Sequence, residues 1–312
     1  METRIIPADE AGIAAAAEAI QRTRPVAVPT ETVYGLAGDA TNGDAVAAIY
    51  AAKGRPSFNP LIVHVDGMDM AETVATFSPL ARRLAEAFWP GPLTLVLPLA
   101  EDAPVARLTT AGLSTVAVRM PAHPVIRALI TRCGHPLAAP SANASGSISA
   151  TRAEHVAQSL AGRIELVLDG GPTEVGIEST IVAVEEDRLR LLRPGSVTPE
   201  MLTEAGSVSV STSDNGTIEA PGQMVSHYAP SKPVRLNAME RRPNEYLIGF
   251  GPVAGDTSLS PDANLTEAAA RLFDVLHVAD AASAPAIAVA PIPASGLGIA
   301  INDRLRRAAA PR

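Results

Sequence analysis

Short apolar runs recur through the first two hundred residues, and each is fenced by a proline, a glycine or an amphipathic stretch. Residues 26–28 (VAV), 61–65 (LIVHV), 93–97 (LTLVL) and 115–119 (TVAVR) carry the branched side chains that suit a covered, pleated surface. The segments between them have helical character. Residues 11–22 place Ile13 and Ile20 on one face, and Gly54 stops a helix over 44–53. Proline opens the helices expected at 79–89 and 124–133, and Gly134 closes the second. Thr151 and Glu154 read as a capping box for a helix through Leu160. Strands at 165–168, 179–184 and 189–192 and a short helix at 199–204 follow. Strands that first alternate with helices and then pair with each other predict an α/β fold with a twisted mixed sheet. Aromatics are only 3% of the chain, so Ala, Val and Leu must fill its core.

The pattern fades from about residue 207 to 232. SVSVSTSDNGTIEAPGQ is polar, with an Asp-Asn-Gly turn and a Pro-Gly pair, and reads as a linker. Order returns after Pro233, with strands at 245–250 and 286–290 and helices at 265–276 and 299–309. The expected division is therefore 1–206, a linker at 207–232, and a smaller α/β unit at 233–312.

Several function classes fall away early. A net charge of −8 argues against a broad nucleic-acid surface and makes a local cluster of cations more informative. A lone cysteine, Cys133, rules out a disulfide framework or a thiolate metal site within one chain. Residues 1–12 show no leader pattern, and no apolar run is long enough to span a membrane, so a soluble cytoplasmic protein is expected. Neither a G-x-x-x-x-G-K-[ST] loop, a G-x-S-x-G elbow nor an H-E-x-x-H pair occurs.

Four constellations suggest chemistry, each beside a plainer reading. PTETVYG (29–35) gathers hydroxyls and a carboxylate after a strand, as a capping turn also would. KGRPSFNP (53–60) puts Lys53 and Arg55 at a helix C-terminus, where cations are favourable in any case. His64 follows inside an apolar strand, where a core histidine is common. PSANASG (140–146) lets backbone N–H groups approach a ligand, or is simply a loop. Arg119 and Arg193 each close a strand. If these turns share one edge of the sheet, Lys53, Arg55, Arg119 and Arg193 face one cleft, and a triphosphate is its natural occupant.

KGRPSFNPLIVHV and PLAAPSANASG resemble the K-x-R and S-x-N motifs of the YrdC-like threonylcarbamoyladenylate synthases. PTETVYGL, FWPGPLTLVL, GIESTIV and LLRPG resemble further signatures of that family in the same order. SHYAP (226–230) and GLGIAINDRLRRAA resemble its longer, two-domain form. The resemblance implies a YrdC-like sheet enclosing a basic cavity at 1–206. It also implies a linker over the active site at 207–232 and a Rossmann-like domain at 233–312. The implied reaction joins L-threonine, bicarbonate or CO2, and ATP into threonylcarbamoyl-AMP and pyrophosphate. A partner transferase complex then modifies the adenosine beside the anticodon of tRNA, which this chain would meet only indirectly.

Residue by residue, the resemblance sets L-threonine against Thr32, His64, Arg119 and Ser179. It sets ATP against Lys53, Arg55, Asn59, Thr115, Ala139, Ser141, Ser149 and Arg193, with Asn143 supporting the pocket and Tyr228 reaching in from the linker. Lys53 and Arg55 would be the catalytic cations. Mg²⁺ would be held by phosphates and water, with no protein side chain as ligand. Two other readings stand beside this one: a carbamoyl-adenylating enzyme of a related carbamoyl-transfer family, and a non-catalytic RNA-binding module. A regulatory ligand sensor is a third.

Overall fold

The computed structural model describes residues 2–211, 219–222 and 227–311. The Asp-Asn-Gly turn and Ser226 of SHYAP lie outside them. The chain begins with β1 (Arg4–Pro7), α1 (Glu10–Gln21), β2 (Val26–Val28), β3 (Gly35–Asp39), α2 (Gly43–Lys53), β4 (Ile62–His64), α3 (Met68–Val74) and α4 (Pro79–Phe88). It continues with β5 (Leu93–Pro98), β6 (Thr115–Arg119), α5 (Pro124–Cys133), β7 (Leu137–Ala138), α6 (Ala153–Leu160), β8 (Leu166–Asp169), β9 (Thr180–Val184), β10 (Arg188–Arg193), α7 (Pro199–Gly206) and β11 (Ser209–Ser211). Then come β12 (Val234–Arg235), β13 (Glu245–Gly249), β14 (Thr257–Ser258), α8 (Leu265–Ala281), β15 (Ala286–Val289) and α9 (Leu297–Ala308).

Among the described residues, eleven strands form one mixed sheet in the order β1-β8-β2-β3-β7-β4-β6-β5-β9-β10-β11. Its strands expose alternate residues to opposite faces. Val63, Val118, Leu95 and Val182 join the large core with Ile49 of α2, Leu84 of α4 and Val156 of α6. Their neighbours Ile62, Ala117, Val96 and Ile181 form a small apolar floor on the other face. The period-two pattern therefore separates a large helix-covered core from a smaller apolar cluster on the other face.

The second unit has a parallel sheet, β12-β15-β13-β14, packed against α8 and α9. Its core takes in Val33, Ile148, Ile177 and Tyr228 from earlier in the chain, so the two units share one apolar seam. Gly176 lies in that seam at φ +74°, and a Cβ there would meet the Ala270 carbonyl oxygen at 2.4 Å. Among the described residues no helix is long and apolar enough to cross a membrane.

Two expectations are corrected. Thr151 does not cap α6. Arg152 holds the N-cap position without a side-chain bond, and the Thr151 hydroxyl lies 3.4 Å from His155 Nδ1 instead. The polar stretch after 206 also opens with β11, which pairs in parallel with β10 and carries the first sheet to Ser211.

Candidate active site

A narrow cleft of about 40 Å³ borders the apolar floor at Ile62. The four cations would face one cleft if their turns shared one edge of the sheet. The strand directions rule that out. β7 runs antiparallel to β4, while β4 and β6 run together, so the loops before β4 and after β7 lie at the edge opposite Arg119. The groups that line the cleft meet across a face of the sheet instead. His64 and Arg119 are register partners, and Ile62 and His64, two residues apart, both line the cleft.

Three of the cations line it. Arg55, Arg119 and Arg193 are each no more than 8% exposed, so the protein itself must hold them. Arg55 is wrapped by its own loop, donating from Nε to Asn59 O at 3.2 Å and from Nη2 to Pro60 O at 3.0 Å. Burial lowers its pKa to about 10. Arg193 donates from Nε to Ser179 O and from Nη2 to Ser179 Oγ, both at 3.0 Å. Gly222 (φ +88°) passes over it so closely that a Cβ would meet Arg193 Cδ and the Tyr228 hydroxyl at 2.8 Å.

Arg119 spends Nε on Gly91 O at 3.2 Å, Nη1 on Thr32 Oγ1 at 3.0 Å and Nη2 on Glu31 Oε1. A guanidinium has five N–H donors, so two remain. The Thr30 hydroxyl bonds Thr32 Oγ1 and the Val33 carbonyl, which fixes the turn that presents Thr32. Burial alone would raise the Glu31 carboxyl. The charge and hydrogen bond of Arg119, with backbone N–H groups, outweigh it and hold Glu31 below its ordinary value.

His64 Nδ1 lies 3.2 Å from Ile62 O, which assigns its proton to Nδ1 and leaves Nε2 as an acceptor. Burial, and then the charge of Arg119, pushes its pKa down to about 3 against a weaker pull from Glu31. The folded chain keeps the ring neutral, whereas an unfolded chain protonates it below about 6.5. This stability is complete above pH 6.5 and is lost as pH falls towards 3. Melting temperature should therefore fall between about pH 6.5 and 5, and less steeply in a His64→Gln variant. Equal slopes in the two proteins would remove His64 from the acid response.

Residues 18–195 match the family profile described as telomere recombination (Sua5_yciO_yrdC). Residues 197–310 match that of the threonylcarbamoyl-AMP synthase C-terminal domain. A threonylcarbamoyl-AMP synthase of Bacillus subtilis is 42% identical to the chain, over 96% of it and 93% of the relative. The chain belongs to the threonylcarbamoyl-AMP synthase family. The Pyrococcus abyssi threonylcarbamoyl-AMP synthase is 40% identical over 96% of this chain and 94% of its own. The crystal structure of P. abyssi Sua5 complexed with L-threonine superposes with a TM-score of 0.89, at 39% identity and over 98% of both chains.

Of the expected site residues, Thr32, His64, Arg119, Ser179, Arg55, Ala139, Ser141, Arg193 and Tyr228 all line the cleft. Five other expected residues do not. Lys53 Nζ donates behind the loop to Ser141 O at 2.5 Å and Asn143 O at 2.6 Å. Burial, then the nearby charge of Arg55, holds its pKa well below the ordinary lysine value. Asn143 ties the same loop through Ala144 O and Ser147 O. The Asn59 carbonyl accepts from Tyr50 and Arg55. Ser149 donates to Glu178 Oε1 at 2.5 Å. Thr115 starts β6, at the far end of that strand from Arg119.

Glu178, Gly222 and His227 line the cleft and were not singled out from the sequence. Two signals were available: Glu178 precedes Ser179 in GIEST, and His227 belongs to SHYAP. The ring of His227 packs edge-on to Tyr228, with centroids 4.1 Å apart. Its pKa is driven far down by burial, and further by the charges of Arg55, Lys53, Arg193 and Arg304.

Proposed function

We infer that this chain makes threonylcarbamoyl-AMP from L-threonine, bicarbonate or CO2, and ATP. The observation that carries this is the cleft wall, where three buried arginines face a single carboxylate, Glu178, among the described lining residues. Such a wall suits a polyanion whose charge shifts during reaction. The amine of threonine first takes up bicarbonate with loss of water, giving a carbamate. A carbamate oxygen then bonds the α-phosphorus, and the bond to the β-phosphate breaks to release pyrophosphate. No side-chain nucleophile is needed. Holding both reactants in one enclosed cleft limits decay of the carbamate.

L-Threonine is placed against Thr32, His64, Arg119 and Ser179, where Arg119 retains two donors for its carboxylate. ATP is placed against Arg55, Arg193, Ala139, Ser141 and Tyr228. Lys53 and Asn143 support the loop that carries Ser141. Pro221, Gly222, His227 and Tyr228 line the cleft and serve as its lid, between a catalytic domain at 1–206 and a C-terminal domain at 233–312. Among the described residues no group of three or more His, Cys, Asp or Glu side chains is arranged to hold a metal. Glu178 already accepts from Ser149 and Arg304. In this reading Mg²⁺ is held by phosphate and water oxygens, and when bound it would offset phosphate charge.

The product passes to a transferase complex that modifies the adenosine beside the anticodon. With a net charge of −8, this chain leaves tRNA contact to that complex. A cytoplasmic setting follows from those partners. The test is pyrophosphate release with each acceptor in turn. Threonine plus bicarbonate should support it and carbamoyl phosphate should not; the reverse would assign the chain to carbamoyl adenylation.

A further inference from the structure

Arg304 sits on α9 of the C-terminal unit with no exposed surface, yet two of its partners, Glu178 and Tyr228, line the cleft. Nε donates to Glu178 Oε2 at 2.9 Å. Nη1 donates to Pro194 O at 2.7 Å and to Asp303 Oδ2 at 3.0 Å. Nη2 reaches Glu178 O at 3.5 Å, and the guanidinium carbon lies 5.3 Å from the centre of the Tyr228 ring. Burial works against its charge, but Tyr228, Glu178 and Asp303 together raise its pKa above the ordinary arginine value.

Apart from the bond to Asp303 of the same helix, each of these contacts ends on the wall or next to it. Glu178 lines the cleft and precedes Ser179. Pro194 follows Arg193. Tyr228 lines the cleft as well. The other oxygen of Glu178 accepts from Ser149, so the carboxylate is gripped from both sides. The turn carrying Glu178 is also pressed on α8 at Gly176. A planar guanidinium bonded at several points fixes direction as well as distance.

We propose that Arg304 is a positioning residue for the reaction: anchored in the C-terminal unit, it sets Glu178–Ser179, the turn after Arg193 and the Tyr228 ring, so that the cleft is complete only when the two units are docked. Arg304 itself touches no substrate. The inference rests on the reading of the cleft as the reaction site, and it assigns the C-terminal unit a part in substrate binding.

The test uses the full chain, with pyrophosphate release dependent on threonine and bicarbonate. Wild-type turnover is measured first, so failure of the reaction itself would appear there. Arg304→Lys keeps the charge and loses the fork, whereas Arg304→Gln loses both. KM for threonine and for ATP, kcat and melting temperature are measured for each. The lysine variant should melt within a few degrees of wild type and show KM values raised by about tenfold or more. The glutamine variant should lose more. The double variant Glu178→Gln/Arg304→Gln should be no worse than the poorer single variant, because both changes break one contact. Wild-type KM values in a folded Arg304→Lys protein would overturn the proposal. So would losses that multiply independently in the double variant, or losses that appear only at temperatures where the variant unfolds.

Discussion

Arg55→Ala should cut threonine-dependent pyrophosphate release by about 100- to 1000-fold, the usual effect of losing one preorganised donor to developing charge. Arg55 lines the cleft, and its guanidinium is held rigid by the Asn59 and Pro60 carbonyls. The same bonds shape the 53–60 loop, so alanine removes both a charge and a brace. Arg55→Lys separates the two effects. It restores charge without the planar fork and should recover only part of the rate. Initial rates, read beside melting curves, check this; normal turnover in folded Arg55→Ala would take the arginine out of the chemistry.

Glu31→Ala should cost about 3–5 kcal/mol of stability, because it leaves the Arg119 charge buried without its partner. The ion pair is almost wholly enclosed, with side chains 4% and 8% exposed. The Ala122 N–H loses its acceptor as well. L-Threonine should then raise the melting temperature of this variant more than that of wild type, since its carboxylate can stand in for the missing one. A variant as stable as wild type would contradict the energetic argument. A variant indifferent to threonine would contradict the placement of that carboxylate at Arg119.

Much of the fold is legible where an apolar run is fenced by breakers. VAV at 26–28, TVAVR at 115–119 and the proline-opened helix at 124–133 appear with the expected bounds. β3 was not legible because GLAGD has no β-branched residue; its pairing with β2 and β7 makes it a strand. β1 depends on β8, whose register partners lie 162 positions along the chain. α3 is short and lacks a side-chain cap.

The site divides in the same way. Its local motifs stand out because loops of Pro, Gly, Ser and Asn interrupt apolar strands. Burial of the cations does not, since a Lys or Arg at a helix C-terminus is ordinarily exposed. Here α2 ends on Gly54 at φ +62°, and Arg55 beyond it is closed in by its own loop. Arg304 was hidden most deeply. In RLRRAA it resembles one charge on a solvated helix, and its partner Glu178 is 126 residues away.

The decisive measurement is mass spectrometry of the nucleotide product formed from ATP, L-threonine and ¹³C-bicarbonate. A product carrying AMP, threonine and one labelled carbon, formed with pyrophosphate, is the predicted result. An AMP adduct lacking the label or threonine, or no adduct from active folded protein, would contradict the proposed reaction.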